Sequence, residues 1–369
     1  MCGIVGIFAP GGLAVDPATG DLGAMTRAVA HRGPDDHGRW LDAPAGIGLG
    51  HRRLSIIDLS PLGHQPMASA SGRYVVTYNG EIYNYQALRA ELEDRGAGFR
   101  GQSDTEVMLA AFEAFGVAGA LPRMRGMFAL GLWDKAERAL YLARDRMGEK
   151  PLYYGWLAGG LQLAFGSELA ALRAHQGFDA TIDRGGLIKF MRHGFVPAPR
   201  SIYAGVAKVP PGTWLRFTAD DRAPTPVTYF SLRALAEEGV ARPLRIDATE
   251  AADRLEVELS RAVREQMVAD VPLGAFLSGG IDSSTIVALM QAASPRPVRT
   301  FTIGFVEPGY DEAPHARPFE HRAPARDEEG VADEPGRAER AVDRPEQEQR
   351  GGARVAAGER RQQAHEEER

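Results

Sequence analysis

A single cysteine, at position 2, limits how this 369-residue chain can be held together. One thiol excludes a disulfide framework and any site built from several cysteines, so the fold has to rest on buried apolar surface. The apolar share, 44%, is enough for real cores. The residues after Cys2, Gly3–Phe8, are a compact apolar run of strand type. Removal of the initiator methionine would give Cys2 a free α-amino group beside its thiol. The thiolate is the strong nucleophile, and an α-amino group titrating near ~7.7–8.0 can take the thiol proton directly or through a water. Position 2 alone does not separate such a self-contained nucleophile and base from an accident of sequence.

Length suggests two domains with an added tail. There is no basic leader followed by an apolar core and no run long enough to span a bilayer, so a cytoplasmic protein is expected. The net charge of −6, with acids and bases mixed, argues against nucleic acid or a membrane as partner. Of the 43 basic residues only Lys135, Lys150, Lys189 and Lys208 are lysine, a bias expected of a GC-rich coding sequence.

The first part, residues 2–217, reads as short strands with a few helices. Arg73–Tyr78 alternates into a turn at Asn79-Gly80. Phe128–Trp133 and Leu140–Arg144 flank a charged turn, and Tyr153–Trp156 and Leu161–Phe165 flank Ala158-Gly159-Gly160, so each pair reads as a hairpin. A helix is expected over Asp104–Phe115, opened by the capping box Ser103-x-x-Glu106. This mixture predicts an α+β domain of antiparallel sheets with helices packed outside. Residues 218–247, with Pro224, Pro226 and Pro243 and no periodicity, read as a linker. Residues 248–315 then give a helix through Val268, a buried strand over Val271–Leu277, the loop Ser278–Ser284, a helix over Ser284–Ala292 and a strand over Val298–Phe305. That order is the start of an α/β domain with a parallel sheet. Residues 316–369 contain no Leu, Ile, Met, Trp or Tyr and read as a disordered tail. A reading-frame shift accounts for this composition better than an interaction tail does.

Several blocks follow one another in a telling order: Met1-Cys2-Gly3-Ile4-Val5-Gly6, His31-Arg32-Gly33-Pro34-Asp35-Asp36, His51–Asp58, Tyr78–Asn84 and Ser103–Glu106. Arg144–Tyr154 and Phe165–Leu169 continue the series, and Ser278-Gly279-Gly280-Ile281-Asp282-Ser283-Ser284 lies downstream. In this order the chain resembles the glutamine-hydrolysing asparagine synthetases of bacterial type, from residue 2 to about 315. The resemblance implies a class II amidotransferase domain of N-terminal-nucleophile type, followed by an ATP-pyrophosphatase domain. It implies Cys2 as the nucleophile and Asn79 and Gly80 as donors to the oxyanion. Glutamine would be held by Arg53 at its carboxylate, by the backbone around Leu54 and Ile56, and by Glu81 and Asp104 at its ammonium. ATP would lie against Leu277, Ser278, Gly279, Gly280, Asp282, Ser283, Ser284 and Ile303, with Asp282 helping to hold Mg²⁺ on the pyrophosphate. Glutamine, aspartate and ATP are the implied substrates, and a homodimer is left open.

The residue types suit that chemistry. Amide attack develops an oxyanion, and each donor aimed at it contributes ~2.7–4 kcal/mol. A guanidinium fork fits a carboxylate. The Ser278–Ser284 loop lacks the Walker lysine, but two glycines and hydroxyls before a helix still form an anion site. Plainer readings stand beside these: Asn-Gly is a common hairpin turn, Asp104 suits the first turn of any helix, Arg53 could be an ordinary surface arginine, and the Ser/Gly/Asp loop could simply cap a helix. The family's second phosphate loop and aspartate-binding region are not found in the sequence. The 369 residues as written are therefore expected to hydrolyse glutamine without forming asparagine, and to expose apolar edges in the second part. The alternatives are a glutaminase-only or non-catalytic remnant, and an amidotransferase with another carboxylate acceptor.

Overall fold

The structure is a computed structural model and describes residues 1–305, 307 and 311–320. Two six-stranded antiparallel sheets carry the first part. The first sheet contains β1 (Gly3–Phe8), β2 (Asp36–Asp42), β3 (Ile47–Arg53), β8 (Tyr153–Leu157), β9 (Gln162–Gly166) and β10 (Val206–Lys208), in the order β10-β8-β9-β1-β3-β2. The second contains β4 (Met67–Ala68), β5 (Tyr74–Ile82), β6 (Gly126–Asp134), β7 (Ala139–Arg144), β11 (Thr213–Phe217) and β12 (Val227–Thr228), in the order β12-β11-β7-β6-β5-β4.

Side-chain alternation explains the layering. Successive strand residues point to opposite faces. In β1, Ile4 and Phe8 enter the core shared by the two sheets, while Val5 and Ile7 enter a second core under the Val15–Ala28 helix. In β5, Val75 faces the shared core, while Tyr74, Val76 and Tyr78 face a third core with the helices Tyr85–Glu93 and Asp104–Ala120. Both faces of each sheet are thus covered, which gives helix, sheet, sheet, helix. Asp104–Arg123 is apolar enough in composition to cross a bilayer, but its Val107, Met108, Leu109, Ala111 and Phe112 are buried in that third core.

The two expected hairpins are present as β6–β7 and β8–β9. The expected turn at Asn79-Gly80 is not. β5 runs through both residues to Ile82, with Asn79 opposite Ala129 and Gly80 opposite Phe128. The glycine serves close approach instead: a Cβ on Gly80 would lie 2.1 Å from the Met127 carbonyl oxygen. The capping box is half formed. Ser103 Oγ accepts from the Glu106 N–H (3.3 Å), but the Glu106 carboxylate accepts from the N–H groups of Arg100 and Gly101 rather than reaching back to Ser103. The helix extends past Phe115 to Ala120, with a non-helical Gly116 (φ 66°) inside it.

The expected linker is partly regular. Val227–Thr228 joins the second sheet as β12, and Leu232–Ala241 is a helix capped by Ser231 Oγ. All its side chains are exposed, which explains why no apolar stripe marks it. The next helix, Ala248–Gln266, is capped by Asp247. β13 (Gly274–Phe276) and β14 (Arg299–Phe301) then pair in parallel around the helix Ile281–Ala293. The first of these strands was expected to be buried, yet Phe276 is 76% exposed, and Phe301 in the second is 50% exposed, in line with the expectation of exposed apolar edges. The tail boundary at 316 falls inside a helix, Ala313–Glu320, in which Ala316 is buried. The rest of the expected tail lies outside the described residues.

Candidate active site

Cys2 sits at the mouth of β1, the strand with β9 and β3 on either side. Its position is fixed by groups from distant motifs. Arg32 Nε donates to the Cys2 carbonyl (2.9 Å), and Arg32 Nη1 pairs with Glu168 (2.7 Å). Two residues on, Ile4 donates its N–H to the buried Ser167 hydroxyl (3.0 Å). The Cys2 sulfur lies 3.4 Å from the Leu54 N–H, which donates to it. Burial pushes the Cys2 thiol above its ordinary value, against the lowering effects of the Leu54 N–H, the N-terminal ammonium and Arg53. The thiol therefore keeps its proton at neutral pH and needs a base. With Met1 in place the nearby amine belongs to Met1, and burial lowers its pKa.

Cys2, Arg53, Leu54, Ile56, Asn79, Gly80, Glu81 and Asp104, eight residues named from the sequence, all line one cleft. The cleft leaves about 610 Å³ of open space, its solvent-facing mouth included. It exists because β4 pairs with β5 only at Val75 and Val76, so β5 from Thr77 onward has no strand on that side.

Two donors face this gap. Asn79 is buried, and among the described residues its Nδ2 has no hydrogen-bond partner. The N–H and C=O of Phe128, opposite Gly80, are bonded to Asp145 (3.2 and 2.8 Å). In an antiparallel ladder facing residues either exchange both bonds or neither, so the Gly80 N–H points away from β6.

The charged groups divide the cleft. Arg53 is buried, and its guanidinium donates only to main-chain carbonyls: Ser60 (3.3 Å), Ile57 (3.4 Å) and Asp58. Among the described residues it has no carboxylate partner. Asp104 is buried in the first turn of its helix and accepts from Tyr78 Oη (2.8 Å) and the Ile82 N–H (2.9 Å). Burial raises its pKa. Burial and the adjacent Asp104 raise that of Glu81.

Some groups at the cleft were given no role from sequence. Lys150 is buried there, its pKa lowered by burial and raised in part by Glu81. Gln65 Oε1 accepts from the Tyr78 N–H (2.7 Å) and so fixes the residue before Asn79. Arg32, Glu168, Ser167 and Lys150 all stand within the sequence blocks already noted, but only tertiary contact assigns them a task.

The second expected site is separate. Ser278 Oγ and Ser283 Oγ are 2.8 Å apart, and the Gly280 N–H donates to Ser278 Oγ (3.3 Å). Gly279 has φ +78°, a conformation that favours glycine, and a Cβ there would collide with the His315 carbonyl at 2.4 Å. Ser284 Oγ is buried and, among the described residues, has no hydrogen-bond partner. Asp282 is exposed in the first helical turn. Leu277 is buried, whereas Ile303 is exposed just beyond β14.

A family profile described as the glutamine amidotransferase domain matches residues 1–230, and one described as asparagine synthase matches residues 254–339. The second match runs past the expected boundary at 316. A protein of Mycobacterium tuberculosis H37Rv named putative asparagine synthetase [glutamine-hydrolyzing] is 40% identical over 326 residues, or 85% of this chain and 49% of the relative. Asparagine synthetase [glutamine-hydrolyzing] 1 of Bacillus subtilis is 38% identical over 86% of this chain and 48% of its own length. A putative asparagine synthetase 2 of Methanocaldococcus jannaschii is 34% identical over 86% of this chain and 62% of its own. The chain thus spans about half the length of the first two relatives. On the match over residues 1–230 and the cleft that these residues build, the chain belongs to the glutamine amidotransferase domain family, and its amidotransferase domain is followed by an asparagine synthase segment.

Proposed function

We propose that the chain is a glutamine-dependent asparagine synthetase whose glutaminase step takes place at Cys2. The observation that carries the reading is the buried, unpartnered Nδ2 of Asn79 in the same cleft as the Cys2 sulfur. An orphaned buried donor is costly unless something negative comes to meet it. Cys2, freed at its N-terminus, passes its thiol proton to its own α-amine. The thiolate attacks the side-chain amide carbon of glutamine. The resulting oxyanion is met by Asn79 Nδ2 and the Gly80 N–H. Return of the proton to the amide nitrogen expels ammonia, and water then hydrolyses the thioester to glutamate. Arg53 takes the glutamine carboxylate, and Asp104 with Glu81 takes its ammonium.

In the complete synthetase the ammonia would be used at a second site, where aspartate activated by ATP as an acyl-adenylate accepts it, giving asparagine, AMP and pyrophosphate; this chain matches that half only over residues 254–339. The Ser278–Ser284 loop and the helix that follows it suit the pyrophosphate, and the unpartnered Ser284 Oγ is a further donor there. Asp282 is the carboxylate that would meet Mg²⁺, an ion commonly held by one or two carboxylates together with substrate phosphates. A cytoplasmic setting would keep the lone thiol reduced.

Cys2→Ala tests the reading. It should remove glutamate and ammonia release from glutamine while circular dichroism and the unfolding midpoint stay as in the wild type. Glutamine hydrolysis at the wild-type rate by that variant would overturn it.

A further inference from the structure

The segment that leads into the second site touches the glutamine cleft. The N–H of Asp270 donates to the Ile56 carbonyl (2.9 Å), and Asp270 Oδ2 accepts from the Asp58 N–H (2.7 Å). Val268 packs on the core of the second sheet, and Arg125 pairs with Glu265 (2.8 Å). Residues 265–270 are therefore fixed against the first domain at several points.

The loop they touch governs both ends of the cleft. Asp58 has φ 56°, unusual outside glycine, and is buried. Its carbonyl accepts from Arg53. Its Oδ2 accepts from the Gln102 N–H (2.9 Å), two residues before Asp104. One residue thus ties together the strand end carrying the carboxylate-binding cation and the loop carrying the ammonium-binding acid. The remaining free main-chain group of Asp58, its N–H, is the one that Asp270 accepts from.

We propose that Asp270 is a positioning residue for the glutamine site: from the second domain it fixes the main chain of Asp58, and through Asp58 the placement of Arg53. The proposal rests on the glutaminase reading above and adds a route by which the second domain regulates it. Asp270 lies seven residues before Leu277, where the nucleotide loop begins. A shift of that segment would alter glutamine affinity without touching Cys2.

The test uses the full chain with Asp270→Ala and Asp270→Asn. Alanine removes the acceptor for the Asp58 N–H, whereas asparagine keeps an oxygen in its place. Losing one such bond should raise the KM for glutamine about three- to tenfold, with kcat within about twofold. Asparagine should restore KM. Hydrogen exchange over residues 54–60 should quicken in the alanine variant and stay unchanged over 126–144. The proposal is overturned if alanine leaves KM and exchange as in the wild type, if exchange quickens with no rise in KM, or if asparagine behaves like alanine. A wild-type chain that hydrolyses no glutamine would sink the glutaminase reading alone, and the exchange comparison would then decide the role of Asp270.

Discussion

Arg53 and Asp104 show how differently two charged residues can be made ready for one ligand. Arg53 is buried and, among the described residues, its guanidinium hydrogen-bonds only to main-chain carbonyls, with no carboxylate in direct contact. Asp104 is buried with a hydroxyl and an amide N–H donating to one of its oxygens. Helix-dipole stabilisation, sufficient to explain an acid in a first turn, does not account for that burial. On the proposed reading, both residues meet the amino-acid end of glutamine rather than the reacting amide. Arg53→Ala and Asp104→Asn should therefore raise KM, with little change in kcat. Loss of a charged hydrogen bond, worth ~1.5–3 kcal/mol, corresponds to roughly 10- to 150-fold in kcat/KM. Steady-state kinetics with glutamine check this, and equal losses in kcat at unchanged KM would count against the placement. Asparagine is chosen at 104 because alanine would also orphan Tyr78 Oη and the Ile82 N–H.

At the scale of elements, β5 is the strand on which the site depends. Its first half lies between β4 and β6, and its second half has only β6. Asn79 and Gly80 fall in that second half. A strand rather than a hairpin turn carries them, and the reason is contact across the sheet: the backbone of Met127 and Phe128 leaves no space for a side chain at 80. Gly80→Ala would put a methyl 2.1 Å from one backbone atom and 2.7 Å from another, neither of which a rotamer change can move. We expect ~1–3 kcal/mol of destabilisation from such overpacking. It should appear as a lower denaturant midpoint at unchanged m, together with a larger fall in glutamine hydrolysis as β5 is displaced from the cleft. An unaltered midpoint would mean that the strands separate freely at this point.

Over the whole first domain, the two sheets are joined by polar contacts as well as by the apolar core. Thr77 Oγ1 donates to the Gly50 carbonyl (3.0 Å), and His51 Nε2 donates to the Tyr78 carbonyl (3.0 Å). The His51 Nδ1 is buried with no partner among the described residues, so a second proton on the ring would go unmet there. Burial lowers its pKa from 6.5 to about 4. A histidine with a depressed folded pKa favours folding above its unfolded value, because between the two values the unfolded chain binds the extra proton. Stability should then decline as pH falls from 6.5 towards 4, by an amount on the order of 3 kcal/mol from this residue. Urea unfolding across that range checks the trend, and His51→Gln should flatten it. A profile equally steep in that variant would assign the loss to other groups.

What the sequence determined by itself was local or periodic: the hairpins, the helix from Asp104 with its cap at Ser103, and the ordered blocks that carry Cys2, Arg53, Asn79 and Asp104. Alternation and turn chemistry act between near neighbours, so they can be read in one dimension. The amphipathic signal failed where packing was absent, as in the exposed helix Leu232–Ala241 inside the expected linker. It misled at β13, read as buried, where Phe276 is exposed. Tertiary structure alone decided that Asn79-Gly80 lies within a strand, that Arg32 and Glu168 hold Cys2, and that Asp58 joins three segments. Each of these depends on which atoms come within a few ångströms across 30 to 212 residues of chain, and no local pattern records that proximity.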